Sequence, residues 1–453
     1  MARAKKEAAL TPEERLQAAL VPDWERPYKL PENWCWTTIK NVATVVTGGT
    51  PAKNNSDYYG GEFPFFKPAD LDAGRHVSEA SEYLSDLGKS ISRIIPAQAT
   101  AVCCIGSIGK CGFLDVEGAT NQQINSAIPY FNALYQYFYM NTEFFTNQLR
   151  NSASATTIAI VNKTKMESCY YPLAPLAEQQ RIVDCIESLF AKLDEAKEKA
   201  QAVVDSFETR KAAILHKAFT GELTAKWRRT HGLSLDTWKE VAADSLFEYV
   251  TSGSRGWAKY YDESGAVFIR MGNLDHGTIE LDFSDIQHVK LPNKAEGQRS
   301  RIRKNDILIS ITADVGMVGL VRNDDFEGYI NQHIALARPV MSESAEFIAW
   351  YLVSDIGLKQ MQEKQRGATK VGLNLNDIRA LQLKIPLIEE QNEILKVIKM
   401  WIGKEQQSQE AAEAVLDQID LMKKSILARA FRGELGTNDP SEESAVELLK
   451  QII

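Results

Sequence analysis

The sequence predicts an α+β fold: two pseudo-twofold-related α/β domains joined by two long antiparallel coiled-coil helices. Three observations carry that prediction. The phrase "ILHKAFTGEL" at 214–223 returns as "ILARAFRGEL" at 426–435, 212 positions later in a chain of 453 residues. Shorter matches link the same two halves in one shared order, the mark of an internal repeat. Each half also ends in apolar residues at heptad spacing, a coiled-coil pattern.

Composition bounds the reading. With 44% hydrophobic and 25% charged residues, the chain has material for two or three domains with cores of their own. A net charge of −8 argues against coating nucleic acid or an acidic membrane by bulk attraction, yet leaves room for a local basic face. The six cysteines, Cys35, Cys103, Cys104, Cys111, Cys169 and Cys185, form no CxxC pair and have no histidine cluster beside them. No zinc site is expected, and reduced thiols in a cytoplasmic protein are. The first twenty residues lack the apolar core of a signal peptide. The charge-free stretch 118–142 is rich in Asn, Gln, Thr and Tyr and contains Pro129, so no membrane span is expected.

The elements follow in order. Residues 1–33 form a helical segment in which Thr11 is the N-cap, Pro12 the first helical position and Glu14 the completing member of a capping box. Residues 34–174 make the first α/β domain and 227–385 the second, where β-like runs such as "TAVCCIG" and "DILISIT" alternate with Gly, Asn and Asp turns. Between them, Trp24 is set against Trp227, "VVTGGT" (45–50) against "YVTSGS" (249–254) and Tyr58-Tyr59 against Tyr260-Tyr261. Further on, "FFKPADLDAG" (65–74) matches "FIRMGNLDHG" (268–277), and "IGKCG" (108–112) matches "VGMVG" (315–319). "TNQQI" (120–124) matches "INQHI" (330–334), and "PLAEQQRIV" (175–183) matches "PLIEEQNEI" (386–394).

Residues 175–226 and 386–436 are the two long helices, with 437–453 as a C-terminal tail. In the first helix, heptad positions fall at Ile186, Leu193, Ala200, Phe207 and Ile214, alternating with Ile182, Leu189, Ala196 and Val203. In the second they fall at Ile398, Glu405, Ala412, Ile419 and Ile426, alternating with Ile394, Trp401, Ser408, Val415 and Met422. Glu405 and Ser408 break the apolar rows, which predicts weaker packing or a partner-docking surface there. Matching registers predict that the helices pack on each other antiparallel, each about 40 residues and roughly 60 Å long. The two domains would then be held at opposite ends of a rod. The glycines of "AFTGEL" and "AFRGEL" are expected to close the last helical turns.

Catalytic motifs fail on inspection. "CIGSIGKCG" has Cys104 and Cys111 where a Walker A loop needs glycine and Ser or Thr. "SIGK" fits an SxxK pair of Ser107 and Lys110, but no SDN or KTG accompanies it and the second copy reads "ADVG". A tight turn between strands is expected instead. No NPPY, DPPF, GxGxxG or HExxH stretch occurs, and the six histidines are scattered, so the chain itself is expected to be no enzyme.

What remains suits recognition. Loops 50–61 and 252–265 combine Lys53, Asn54 and Asn55, and Arg255 and Lys259, with paired tyrosines. Such groups grip phosphates and read base edges. Lys67 with Asp70, and Arg270 with Asn273, hold equivalent positions after a strand; Ser107, Lys110 and Thr312 lie at the inter-strand turns. Asn121-Gln122 and Asn331-Gln332 recur in equivalent turns, where turn stabilisation and base contact fit equally. "QRSRIRK" (298–304) puts Arg299, Arg301 and Arg303 on one face if it is a strand, as a phosphate track or a solvated edge.

Taken together, these motifs resemble the specificity subunits of type I restriction–modification enzymes. The likeness is carried by "TGGTP" (47–51), "GGEFPFFKPADL" (60–71), "GSIGK" (106–110), "TNQQI", "PLAEQQRIV" and "AFTGELTAKWR" (218–228), with their second-copy counterparts, and runs from about Trp24 to about Leu435. It implies two target recognition domains, each reading one half of a bipartite, asymmetric sequence in double-stranded DNA, with the helices as ruler for the spacer. It further implies docking of two methyltransferase subunits and, through them, two restriction/translocase subunits. S-adenosylmethionine, ATP and Mg²⁺ would serve those partners, and no cofactor or metal is expected on this chain. A rival reading is a non-DNA coiled-coil adaptor with two protein-binding heads, which leaves the matched polar turns without a role.

Overall fold

The structure is a computed structural model that describes residues 11–153, 159–253, 255–291, 296–365 and 372–453. The first ten residues and Ser254 of the second loop lie outside the described residues. The chain divides into two compact units, Met1–Glu198 with Val415–Ile453, and Lys199–Ala414.

In the first unit, the helix Pro12–Ala19 opens with the expected capping box: the Glu14 amide donates to Thr11 Oγ1 (3.2 Å) and the Thr11 amide to Glu14 Oε2 (2.7 Å). Among the described residues nine strands follow: β1 (Cys35–Thr38), β2 (Ala43–Thr47), β3 (Tyr59–Phe66), β4 (Tyr83–Leu84), β5 (Thr100–Cys103), β6 (Cys111–Phe113), β7 (Ala119–Thr120), β8 (Ile124–Pro129) and β9 (Tyr170–Leu173). They form a four-stranded sheet in the order β2-β8-β5-β6, a three-stranded sheet β4-β3-β7 and the pair β1-β9. Strand β5 is buried along its whole length, which explains its unbroken apolar run. Successive side chains point to opposite faces. Val102 joins the core containing Tyr135, Phe138 and Phe431, while Ala101 and Cys103 join the core of Phe66, Leu71 and Ile124.

The second unit repeats this plan with β10 (Lys239–Ala242), β11 (Phe247–Ser252), β12 (Tyr261–Asp262), β13 (Ala266–Ile269), β14 (Gln287–Val289), β15 (Ile307–Ser310), β16 (Val318–Leu320), β17 (Gly328–Ile330), β18 (Ile334–Pro339) and β19 (Gln382–Ile385). The orders are β11-β18-β15-β16, β12-β14-β13-β17 and β10-β19. Ala43 pairs with Pro129 in one unit and Phe247 with Pro339 in the other. Beyond that point β11 carries a register shift between Phe247 and Tyr249. That extra residue corrects the alignment of "VVTGGT" with "YVTSGS" by one position: Gly48 corresponds to Gly253, not to Ser252. Both glycines lie against the same turn. A Cβ at Gly48 would sit 2.1 Å from the Asn121 carbonyl oxygen, and one at Gly253 would sit 2.2 Å from that of Asn331.

The first long helix runs Leu176–Asp205 and, past Ser206, Phe207–Phe219; the second is unbroken over Ile388–Ala430. Within each unit their segments run antiparallel. In the first unit Lys423 pairs with Asp194 and Lys197 with Asp420. In the second, Arg210 pairs with Glu405 at 2.6 Å and Arg228 with Glu390 at 2.5 Å. The break at Ser206 corrects the expectation of a continuous first helix. Arg210 bonds there to the Ser206 hydroxyl and to the Val203 carbonyl (3.1 Å). Glu405, an interruption in an apolar row, therefore has a charged partner.

Of the predicted seam, Ile186, Ala200, Ile398, Ala412 and Ile419 are buried, and Leu189, Leu193, Val203, Phe207, Ile214 and Ile426 are half-buried. Trp401, Val415 and Met422 are exposed, at 42%, 44% and 49%, and Ser408 is exposed too. This corrects the prediction that they pair. The row that alternates with Ile398, Ala412 and Ile419 is instead Leu395, Ile402, Gln409, Leu416 and Lys423, buried or half-buried, so the row of Trp401, Val415 and Met422 turns outward beyond Ile394. Gly221 (φ +83°) and Gly433 (φ +74°) end the two helices in the left-handed region, as expected of C-terminal glycines.

The C-terminal tail is folded: Ala445–Lys450 is a helix, the Ala445 amide donates to the Asn33 carbonyl (2.8 Å), and Arg181 grips Glu442 with two bonds of 2.8 Å. The run 298–304 is not a strand. Glu296–Ser300 is a 3-10 helix, so Arg299 does not alternate with Arg301 and Arg303 as a strand would require.

Candidate functional site

The residues that sequence reading singled out separate into two groups. The first group holds turns. The Lys67 amide donates to Asp70 Oδ2 (2.7 Å), and the Ser81 amide donates to Oδ1 of the same carboxylate (2.9 Å). At the equivalent corner the Arg270 amide donates to Asn273 Oδ1 (2.8 Å), while Asn273 Nδ2 donates to the carbonyls of Asp282 (2.8 Å) and Asp285 (3.0 Å). Asn121 Oδ1 accepts from the Gln123 amide and Asn331 Oδ1 from the His333 amide, both at 3.0 Å. Asn55 likewise accepts from the Asp57 amide (3.1 Å).

Asp70, Asn121 and Asn273, expected as DNA contacts, hold turns in the structure. Asn121 and Asn273 are buried, and all three direct their polar atoms mainly at neighbouring backbone, the local bonding that makes Asx residues turn formers. The cations beside these corners are paired: Lys67 with Glu82 (2.8 Å), Arg270 with Asp285 (2.9 Å) and Lys110 with Asp72 (2.5 Å).

The second group faces solvent. Lys53, Asn54, Ser107 and Gln122 are exposed in the first unit, and Arg255 and Lys259 in the second. Gln122 accepts from Thr50, which ties the "TNQQ" turn to the "TGGT" loop. In the second unit Thr312 Oγ1 and Gln332 Nε2 both bond to the half-buried His333, at 2.6 and 3.0 Å. Reading the sequence missed His333, which stands where the first unit has Gln123. Also missed was Arg93, whose guanidinium donates to the Thr47 carbonyl (2.6 Å) at the start of the "TGGT" loop.

Burial pushes the thiols of Cys35, Cys104 and Cys169 up to about 12 and raises those of Cys103 and Cys111. A thiol so shifted is a poor nucleophile. Among the described residues no group of three His, Cys, Asp or Glu side chains is placed to hold a metal ion. No helix among them is long and apolar enough to cross a membrane.

Where each head meets its long helix, the units share a buried carboxylate that sequence reading passed over. Glu178, fully buried, accepts from Trp34 Nε1 (2.7 Å), Asn438 Nδ2 (2.7 Å) and Thr437 Oγ1 (3.3 Å). Glu390, 212 positions later and equally buried, accepts from Trp238 Nε1 (3.0 Å), Thr224 Oγ1 (2.7 Å) and Arg228 Nη1 (2.5 Å). The next residue repeats as well: Gln179 Nε2 donates to the Ala174 carbonyl (2.8 Å) and Gln391 Nε2 to the Pro386 carbonyl (3.0 Å). The signal was present in "PLAEQQ" and "PLIEEQ", read together with Trp34 and Trp238.

Comparison with known proteins matches this repeated head-and-helix plan. The family described as "Type I restriction modification DNA specificity domain" matches residues 31–204 and again 236–413, most of the chain. The chain belongs to that family. Each matched segment opens just before its tryptophan, Trp34 or Trp238, and ends inside a long helix, so one specificity domain comprises a head and the helix that follows it. Among curated relatives, the type I restriction enzyme EcoBI specificity subunit of Escherichia coli is 26% identical over 342 residues, covering 70% of this chain and 71% of that protein. The StySPI specificity subunit of Salmonella potsdam is 22% identical over 429 residues, covering 90% of each. The solved HsdS subunit from Thermoanaerobacter tengcongensis shares the fold, with a TM-score of 0.60 at 18% identity over 91% of this chain and all of that one.

Proposed function

We propose that this chain is the non-catalytic specificity subunit of a type I restriction–modification complex in the cytoplasm. Each specificity domain reads one half of a bipartite, asymmetric site in double-stranded DNA. The long helices set the spacing and dock two methyltransferase subunits, through which two restriction/translocase subunits join. S-adenosylmethionine, ATP and Mg²⁺ belong to those partners, and this chain binds no cofactor.

One observation carries the reading: the specificity domain occurs twice, with its turn-forming residues repeated and its exposed loop residues different. Asp70 and Asn273, or Asn121 and Asn331, do the same backbone work in both heads. Lys53 and Asn54 face solvent in one loop, and Arg255 and Lys259 in the other. A shared scaffold with unlike reading groups suits two unlike half-sites. The test is co-expression with the methyltransferase encoded beside it, followed by single-molecule mapping of adenine methylation. A split, asymmetric motif that vanishes without this chain supports the proposal. Absence of new methylation, with both proteins soluble and associated, rejects it in favour of an adaptor.

A further inference from the structure

A cleft of about 750 Å³ opens in the first unit between the "GSIGK" turn, the helix Glu143–Ser152 and the second long helix. Its lining carries three cations, Lys110, Arg150 and Lys424, with the polar Ser107 and Asn147 and the apolar Ile108 and Ala159, against the carboxylate of Glu143. Lys424 pairs with Glu143 at 3.0 Å, and Lys110 pairs with Asp72 outside the lining. Both carboxylates are largely exposed, at 68% and 73%, so an incoming anion can displace them. Arg150 is exposed, with no ion-pair partner among the described residues.

The same place in the second unit has the opposite character. The backbone is alike, because a Cβ at Gly109 would strike Thr146 and one at Gly316 would strike Leu358, 212 positions further on. The side chains are not. Lys110 corresponds to Met317, Arg150 to Gln362 and Lys424 to Ala212. Ser107 corresponds to Asp314 and Glu143 to Asp355, each hydrogen-bonded to a histidine at 2.8 Å. Lys359, in place of Asn147, is the one cation gained.

We propose that this cleft is a phosphate-binding site particular to the first unit, holding the DNA backbone beside the half-site that this head reads. The assignment rests on the function proposed above. Two identical protein partners require a surface present twice, and this one is present once. The unlike halves of a DNA site have no such requirement. Three cations around a cleft open to solvent suit phosphate oxygens. The complex should therefore hold the two half-sites with unequal dependence on salt.

The test uses the full chain in complex with its methyltransferase partner, on a duplex carrying the mapped motif, with binding measured between about 50 and 200 mM salt. The triple variant K110Q/R150Q/K424Q should keep the methylated motif. Its slope of log affinity against log salt should shrink by roughly 0.9 for each phosphate that the cleft no longer neutralises. Neutral methylphosphonates beside the first half-site should weaken the natural complex and leave the variant unaffected; beside the second they should weaken both alike. An unchanged slope overturns the proposal. So does binding of ATP alone by the natural chain but not by the variant, which would assign the cleft to a free nucleotide. Arg150→Gln alone, at an exposed position, repeats the slope measurement if the triple variant folds poorly. Loss of all selective methylation in the natural complex would defeat the function itself, whereas an unchanged slope with intact methylation defeats only the cleft.

Discussion

The buried carboxylates Glu178 and Glu390 occupy equivalent positions, yet the same substitution should cost them different amounts. Glu390 faces a cation. Arg228, whose side chain is 8% exposed, donates to Glu390, to Thr224 (2.9 Å) and to the carbonyl of the helix-ending Gly221 (2.5 Å). Glu390→Gln keeps the shape and removes the charge, leaving a buried guanidinium uncompensated. Breaking one side of such a pair costs about 3–5 kcal/mol.

Glu178 receives three neutral donors. Glu178→Gln turns one acceptor into a donor that faces a donor, a loss of about 1–3 kcal/mol. Hydrogen exchange on the intact chain reads the difference, because local opening follows local stability. Glu390→Gln should speed exchange by about two to three and a half orders of magnitude in peptides covering 219–242 and 383–395. Peptides covering 34–46 and 176–186 should be unaffected. Adding Arg228→Met should restore part of the protection, since removing both partners is far less costly than removing one. Equal effects of the two glutamine variants, or no recovery in the double variant, would refute the reasoning.

Four further outcomes are expected. Gly253→Ala forces a Cβ to within 2.2 Å of two carbonyl oxygens and should destabilise the second unit by more than about 2 kcal/mol in urea unfolding, whereas Ser252→Ala should have little effect. Asp70→Ala should cost about 1–3 kcal/mol by freeing two backbone amides, while Lys53→Ala should leave stability within roughly 0.5 kcal/mol and weaken methylation through one half of the motif only. In the native chain a thiol reagent near pH 8 should find one fast cysteine, the half-exposed Cys185, because burial holds the other five protonated; six should react in denaturant.

The fourth concerns acid. Burial raises the Glu346 carboxyl, but its bonds to Lys399 (2.9 Å) and Arg322 (2.8 Å) outweigh that and bring it below the ordinary carboxylate value. A lowered folded pKa stabilises fully above the unfolded value, about 4.3, and fades as the pH falls through the folded one. Glu346→Gln should cost about 1 kcal/mol at pH 7, and the difference from the natural chain should shrink below pH 4.

The sequence by itself determined the duplication, the antiparallel helices and the positions of the helix-ending glycines, because each depends on local chemistry or on periodicity. "ILHKAFTGEL" and "ILARAFRGEL" end helices through a residue that tolerates positive φ, and that preference is written in the glycine. Heptad spacing located the long helices, but it offered two rows. Only packing decided that Ala412 and Ile419 are covered while Trp401, Val415 and Met422 face outward. Nor could a match of letters show the register step after Phe247, since a bulge exists only in a strand's pairing with its neighbour. The same limit separated scaffold from reader. Asn121 and Lys53 look equally suited to DNA as residue types, and burial alone assigns one to a turn and leaves the other in solvent. Glu390 lies more than 150 residues beyond Arg228 and Trp238, so their shared site has no local pattern. It exists because the chain returns to close the head on its helix, where a buried charge needs a partner.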